Sequence, residues 1–196
     1  MVGKRHDLAL ERELDFCDPR VIENVKARAV KEGRLQGPWW IDYFLYTKGL
    51  FKNIPPFFVG CWRWDNWMIN KALSAGASVI DATRVVTAIH QDHDSAEHRS
   101  IKYVMPRTEK IFTINSELYE KYSFFDPQCN VPGSTEYSTH ILTERGLIIK
   151  ESSIKERIKM FLILEPYRWP HMKGLCELFY ILGEKLNLLS RRQRAP

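Results

Sequence analysis

The stretch Val59–Gly76, VGCWRWDNWMINKALSAG, contains three tryptophans within six residues and a single carboxylate, Asp65, between two of them. Tryptophan side chains usually fill a core, because exposing an indole ring to water is costly. An acid inside such a cluster has two explanations: it caps the helix that follows, or it is a catalytic base in the wall of a substrate pocket. From the residues alone, helix capping is favoured.

The residues around this stretch predict strands on both sides of one helix. Residues 66–75 predict a helix that ends at Gly76. Two short apolar runs follow, SVIDA (78–82) and RVVTAIH (84–90), and each is typical of a buried strand. Upstream, WWIDYFLYTKGLF (39–51) is rich in aromatic and branched residues and predicts another strand. This order of elements predicts an α/β fold built in layers.

The N-terminal and C-terminal segments predict further elements. The opening ten residues predict a strand, and a helix follows with Asp18 as its cap, Pro19 in its first turn and Gly33 at its end. Residues 106–124 predict a helix, and so does SSIKERIKMFLILE (152–165), which we expect to end at Pro166.

The last segment predicts an amphipathic helix with one apolar stripe. The stripe is formed by Leu175, Leu178, Phe179, Leu182, Leu186 and Leu189. We expect this stripe to pack onto the rest of the domain, and contact with a membrane surface is the less favoured alternative.

The composition is that of a folded chain, with 196 residues of which 44% are apolar and 27% charged. The net charge is +5, and Arg191, Arg192 and Arg194 lie within the last six residues. The four cysteines are far apart in sequence, which argues against a zinc ribbon and favours reduced thiols. No apolar leader is visible, so we expect a protein that is cytoplasmic or peripheral to a membrane.

Three segments resemble the nucleotide-diphospho-sugar transferases, a group related to family 2 glycosyltransferases with the GT-A fold. They are DYFLYTKGLF (42–51), IPPFFVGCWRWDNWMINKALSAGASVIDATRVVTAIHQDHD (54–94) and, more weakly, STHILTERGLIIK (138–150). The resemblance implies a three-layer, Rossmann-like α/β domain. It also implies an enzyme that transfers a sugar from a nucleotide-sugar donor to a hydroxyl acceptor.

The same resemblance implies roles for particular residues. Asp65 matches the catalytic base, and His90 matches a histidine that reaches the metal or the diphosphate. The acceptor side of the pocket would be formed by Asp42, Tyr43, Trp62, Arg63, Trp64 and Asn66. Trp62 and Trp64 are the candidate platforms for a sugar ring, whereas Trp67 is expected in the core. Asp92, His93 and Asp94 add further groups of the kind that bind zinc or manganese.

The chain departs from this family in one respect. The resemblance implies a divalent metal, Mn²⁺ or Mg²⁺, held by an Asp-x-Asp motif that ends an N-terminal donor-binding half, and no such motif precedes residue 92. We therefore expect the C-terminal part of a GT-A-like domain in residues 1–150, without a complete metal site, and a helical extension in residues 151–196.

A second hypothesis belongs to a different functional class. In it the chain is a non-catalytic, basic scaffold or interaction module, with the last helix as its contact to a membrane surface. Neither hypothesis has nucleic acid as a partner, and the sequence does not specify the donor sugar or the acceptor.

Overall fold

Strand β1 (Arg5–Leu8) lies in the centre of a three-stranded mixed sheet. It pairs antiparallel with β2 (Arg34–Leu35) and parallel with β4 (Ala88–Gln91), where Arg5 is opposite Ala88. A second mixed sheet has the order β3 (Ile80–Asp81), β5 (His140–Thr143) and β6 (Gly146–Ile149). Val2, just before β1, forms a parallel bridge with Asp81 and so links the two sheets. This pairing brings residues of the N-terminal segment next to β3 and β4.

The computed structural model describes residues 1–11, 13–61, 63–91, 110–122 and 133–185. Its helices are α1 (Pro19–Lys31), α2 (Trp64–Ser74), α3 (110–122), α4 (Ile154–Arg168) and α5 (Lys173–Lys185). Two short 3₁₀ turns, Thr135–Tyr137 and Pro170–Met172, precede β5 and α5. The chain is therefore a mixed α/β protein with small mixed sheets, and in the described residues no helix is long and apolar enough to cross a bilayer.

Helix α2 is buried between two apolar clusters. On one side Trp67 and Met68 pack with Tyr119, Leu162 and other residues of α3, α4 and α5. On the other side Ile69, Ala72 and Leu73 pack with residues from the two sheets and their connections. Burying a large apolar side chain contributes about 1.5–3 kcal/mol. These contacts hold α2, and with it the N-terminal turn that carries Asp65, in a fixed position.

Several predicted elements are confirmed. The opening strand is β1, the runs before residue 91 contain β3 and β4, and residues 106–124 contain α3. Helix α1 begins as predicted, because the Asp18 carboxylate accepts a hydrogen bond from the backbone N–H of Arg20 and Pro19 occupies the first turn.

Two predictions about elements are wrong. Residues 39–51 do not form a strand: Ile41 makes a single bridge to Lys4, and the aromatic side chains pack from an irregular segment. Helix α4 also continues past Pro166 to Arg168. Aromatic and branched residues favour any half-buried extended backbone, so they do not by themselves predict a sheet partner.

The apolar stripe of the last helix also differs from the prediction. The face of α5 that packs on the domain carries Cys176, Tyr180 and Gly183, and the Lys159 ammonium of α4 lies 5.5 Å from the Tyr180 ring. The stripe that was expected to be buried is instead exposed at Leu175, Leu178, Phe179 and Leu182. Leu186 and Leu189 lie outside the described residues, as do Arg191, Arg192 and Arg194.

Candidate functional site

A cavity of about 470 Å³ lies at the N-terminal end of α2, and its lining includes five of the eight residues predicted for the site. Those five are Asp42, Arg63, Trp64, Asp65 and Asn66. The remaining lining consists of Arg5, Trp39, Trp40, Ile41, Gly60 and Cys61. Such a volume, with aromatic walls and a few convergent polar groups, is typical of a small-molecule site.

A second cavity of about 530 Å³ is lined by residues that include Phe44, Leu50, Met68 and Val79. Its lining has no acidic, basic or histidine side chain among the described residues. The cavity beside Asp65 is the candidate functional site, because it combines charged groups and indole rings with five residues predicted from the sequence.

Asp65 is the second residue of α2, so it does not occupy the N-cap position that the sequence predicted. Helix α2 begins at Trp64, and the capping position is occupied by Arg63, which has a left-handed φ of 85° and makes no side-chain capping bond. The Asp65 carboxylate accepts a hydrogen bond from the backbone N–H of Asn66 at 2.8 Å. The carboxylate is therefore held in the first turn of the helix, on the wall of the cavity.

The pKa of Asp65 is raised from 3.8 to about 6, mainly by burial. The backbone N–H groups of Asn66 and Asp65 lower this pKa, the charge of Asp42 raises it and Arg63 lowers it. Removing a carboxylate from water disfavours its charged form. The sequence predicted a carboxylate held ionised by the helix. With a pKa of about 6 the carboxylate is still mostly ionised at neutral pH, but it is more basic than an exposed aspartate.

This raised pKa predicts a pH dependence of stability. Below pH 3.8 the Asp65 carboxyl is protonated in the folded and the unfolded chain, and it contributes no pH dependence. Between pH 3.8 and about 6 only the unfolded chain is ionised at this position, so stability falls as the pH rises. Above about pH 6 the loss levels off at roughly 2–3 kcal/mol.

Asp65→Asn removes this ionisation, so we expect the variant to be more stable than the parent at pH 8 and equally stable near pH 4. Urea unfolding at both pH values, followed by circular dichroism, measures the difference. Equal stability of the two proteins at pH 8 would show that burial does not raise the pKa of Asp65 in the folded chain.

Asp42 lies between a cation and an imidazole. Arg5 Nη1 donates to both carboxylate oxygens of Asp42, at 2.8 and 3.0 Å, and Nδ1 of His90 lies 2.9 Å from Oδ2. Arg5 also binds the buried Asp7 through Nε at 2.9 Å. Asp42 is therefore in contact with both groups.

His90 was predicted as a metal ligand, and its bond to Asp42 is of the kind that orients ligating histidines. However, no three His, Cys, Asp or Glu side chains converge on one point within the described ranges. Asp92, His93 and Asp94 lie outside those ranges. The described residues do not by themselves fit a divalent metal, and no step is assigned to one.

The walls of the cavity are indole rings. The Trp40 ring lies under the Arg5 guanidinium, at 4.8 Å from the ring centroid, and Trp40 remains half exposed. Trp64 packs on Phe44 with ring centroids 5.2 Å apart. Trp67 is buried in the core as predicted. Trp62, the other predicted platform, lies outside the described residues.

Asn66 connects the cavity to the segment before β5. Its side-chain amide donates to the backbone carbonyl of Gly133 at 2.6 Å. A Cβ atom at position 133 would lie 2.6 Å from Cβ and 2.9 Å from Cα of Asn66, which is too close for any other residue without a shift of the backbone. Asn66 therefore fixes a backbone contact, and Gly133 is the residue type that this contact requires.

Tyr43 is not part of the cavity. Its side chain lies on the side of Gly3, where an added Cβ would overlap its hydroxyl group. Burial raises the pKa of Tyr43 to about 12, and the charge of Asp81 adds to the effect. The hydroxyl group therefore stays protonated, and the structure does not bring it to Asp65.

Arg5 and Trp40 also line the cavity, and neither was predicted from the sequence. Arg5 reaches the cavity because β1 pairs with β4, which no local pattern predicts. Trp40 belongs to the segment predicted as a strand, although the pair Trp39 and Trp40 shortly before Asp42 is a signal of an aromatic wall.

No family model, curated protein or solved structure matches the chain.

Proposed function

We propose that the chain forms the acceptor side of a GT-A-type glycosyltransferase, which transfers a sugar from a nucleotide-sugar donor to a hydroxyl group. Asp65 is the general base in this proposal. The observation that carries it is a carboxyl group with a pKa of about 6 in the wall of a cavity lined by indole rings. The resemblance of residues 54–94 to nucleotide-diphospho-sugar transferases adds support.

The pKa of Asp65 suits a general base. A base works best when its pKa lies near the working pH, because it is then mostly ionised and still a strong proton acceptor. With a pKa of about 6, Asp65 is largely ionised at neutral pH and is more basic than an exposed aspartate. Its position in the first turn of α2 keeps the carboxylate directed by a fixed backbone.

These residues account for the acceptor side of the reaction. Asp65 takes the proton of the acceptor hydroxyl group as that oxygen forms a bond to the anomeric carbon of the donor sugar. The bond from the anomeric carbon to the diphosphate breaks, and the nucleoside diphosphate leaves with the electron pair. Arg5 and His90 hold Asp42 in place beside the base. In this proposal the nucleotide-sugar donor is held by a donor-binding half of the kind that the family resemblance implies, and not by the residues of this cavity.

The walls of the cavity suit a sugar ring as acceptor. The C–H groups on one face of a sugar ring pack well on an indole ring, while its hydroxyl groups hydrogen bond to carboxylates. Trp40 is half exposed, which leaves its ring accessible, and Asp42 and Asp65 line the same cavity.

The test of acceptor binding needs no donor. We expect saturation-transfer NMR with a panel of common mono- and disaccharides to detect binding to the chain. Trp40→Ala should weaken this binding roughly tenfold, because an aromatic contact contributes about 1 kcal/mol beyond the area that it buries. Trp169→Ala is the matched control, since Trp169 is 54% exposed and Trp40 50%, and Trp169 lies outside the cavity.

The two variants together distinguish an acceptor site at Trp40 from non-specific binding. Binding that is weakened by Trp40→Ala and unchanged by Trp169→Ala supports the acceptor site. No binding of any sugar, or equal weakening by both variants, would count against it.

A further inference from the structure

Helix α5 has two apolar faces, and only one of them is covered. Cys176, Tyr180 and Gly183 are buried against the domain. The outer face carries Leu175, Leu178, Phe179 and Leu182, at the spacing i, i+3, i+4 and i+7, and each of these side chains is about half exposed. The spacing places them in one continuous stripe along the helix.

Helix α4 and the turn after it also expose apolar side chains. Ile154, Ile158 and Phe161 are exposed at the spacing i, i+4 and i+7. Trp169, in the turn between α4 and α5, is also exposed. Tryptophan at the end of an apolar surface is typical of segments that lie at the boundary between lipid headgroups and acyl chains.

The excess positive charge lies in the same part of the chain. Residues 151–196 contain nine Lys and Arg against five Glu, whereas residues 1–150 contain twenty Lys and Arg against nineteen Asp and Glu. Lys159 is buried against Tyr180, and the exposed basic residues include Arg157 and Lys173. Three of the nine Lys and Arg, Arg191, Arg192 and Arg194, belong to the tail that follows α5 in the sequence and lie outside the described residues, and residues 151–185 contain six Lys and Arg against five Glu. The net positive charge therefore comes mainly from the tail that follows the apolar stripe in the sequence.

We propose that the α4–α5 hairpin docks on the surface of an anionic lipid bilayer. The outer stripe of α5 enters the boundary between headgroups and acyl chains, and the basic residues contact the anionic headgroups. This proposal rests on α4 and α5 and does not depend on the function of the cavity beside Asp65.

A bilayer fits this surface better than a second copy of the chain. Two copies that met through these helices would bring two segments of net positive charge together, and like charges oppose association. An anionic bilayer attracts the same charge and also accepts the apolar side chains. The two contributions act together only on the bilayer.

The test is sedimentation of the full chain with vesicles. We expect binding to phosphatidylcholine vesicles that contain roughly a third phosphatidylglycerol, at least about tenfold weaker binding to pure phosphatidylcholine, and weaker binding as salt is added. The double variant Leu178→Gln/Leu182→Gln should bind the anionic vesicles about tenfold less or weaker still, because two half-exposed leucines no longer enter the lipid.

The matched control is Leu35→Gln/Leu147→Gln, since these two leucines are also about half exposed and lie on β2 and β6. We expect it to bind like the parent. Thermal unfolding of both double variants checks that they fold. Absence of binding to anionic vesicles overturns the proposal, as does equal binding by the parent and Leu178→Gln/Leu182→Gln. Sedimentation velocity without lipid shows whether the chain forms a dimer. A dimer that Leu178→Gln/Leu182→Gln abolishes would also overturn the proposal, because the stripe would then pack on a second copy of the chain.

Discussion

We expect Asp65→Asn to lower the rate of sugar transfer by about 10²–10⁴-fold, the range found when a general base is lost. Asparagine keeps the size and hydrogen-bonding shape of the side chain but cannot take the proton of the acceptor hydroxyl group. Sugar binding should change little, because the indole rings remain. The measurement is transfer of labelled sugar from a panel of nucleotide-sugar donors to the sugar that the chain binds best.

Asp18→Asn is the matched control for this variant. Asp18 caps α1 and lies outside the cavity, and asparagine caps a helix about as well as aspartate. The control should transfer sugar at the parent rate. If Asp65→Asn also keeps the parent rate, Asp65 is not the base. A parent chain that binds the sugar and transfers none from any donor would limit the proposal to acceptor binding.

We expect Arg5→Met to destabilise the protein by roughly 3 kcal/mol, because removing one partner of a buried ion pair leaves a charge uncompensated. Arg5 is only 12% exposed at its side chain and binds both Asp7 and Asp42. Methionine keeps much of the apolar stem, so the loss reports the guanidinium. Urea unfolding at neutral pH measures the change, and sugar binding should weaken as well because Asp42 is no longer fixed.

Arg34→Met tests whether any arginine beside Asp7 has this effect. Arg34 contacts Asp7 at 3.3 Å, but its side chain is 74% exposed. An exposed ion pair contributes about 0–1 kcal/mol, so the expected loss is small. If Arg5→Met and Arg34→Met lost similar amounts of stability, the bond between Arg5 and Asp42 would contribute nothing to the stability of the protein.

Local patterns predicted the helices better than the strands. Helix α1 has a cap at Asp18 and a proline in its first turn, and these act through neighbouring backbone groups that the sequence itself specifies. The segment 39–51 has the composition of a strand, yet it forms no ladder: Ile41 makes a single bridge to Lys4, and Leu45 exchanges hydrogen bonds with Met1. Strand formation needs a second segment, and composition does not say whether that segment is available.

The residues of the candidate site that are close in sequence were predicted, whereas those that strand pairing brings together were not. Asp65, Arg63, Trp64 and Asn66 are neighbours in sequence, so the tryptophan cluster was enough to group them. Asp42 came from the family resemblance. Arg5 and Trp40 could not be added, because their position depends on the pairing of β1 with β4 and on the irregular path of residues 39–51. The pKa of Asp65 depends on burial, which the helix position alone does not give.

The apolar stripe of α5 was predicted to pack on the domain, but it is exposed. Periodicity identified the apolar positions Leu175, Leu178, Phe179 and Leu182, but α5 is apolar on a second face as well. Tyr180 and Cys176 occupy that face and pack on the domain. A helix with two apolar faces does not reveal from its sequence which one is covered.

The pairing of β1 with β4 has a consequence for the kinetics of folding. Arg5 meets Ala88 across this pair, and the contacts of Arg5 with Asp42 and of Asp42 with His90 depend on it. Contacts between residues so far apart in the chain form slowly, because a long loop must close before they are made. The cavity is therefore assembled late, after the local helices, and a nascent chain cannot bind through it until β4 has been synthesised and paired.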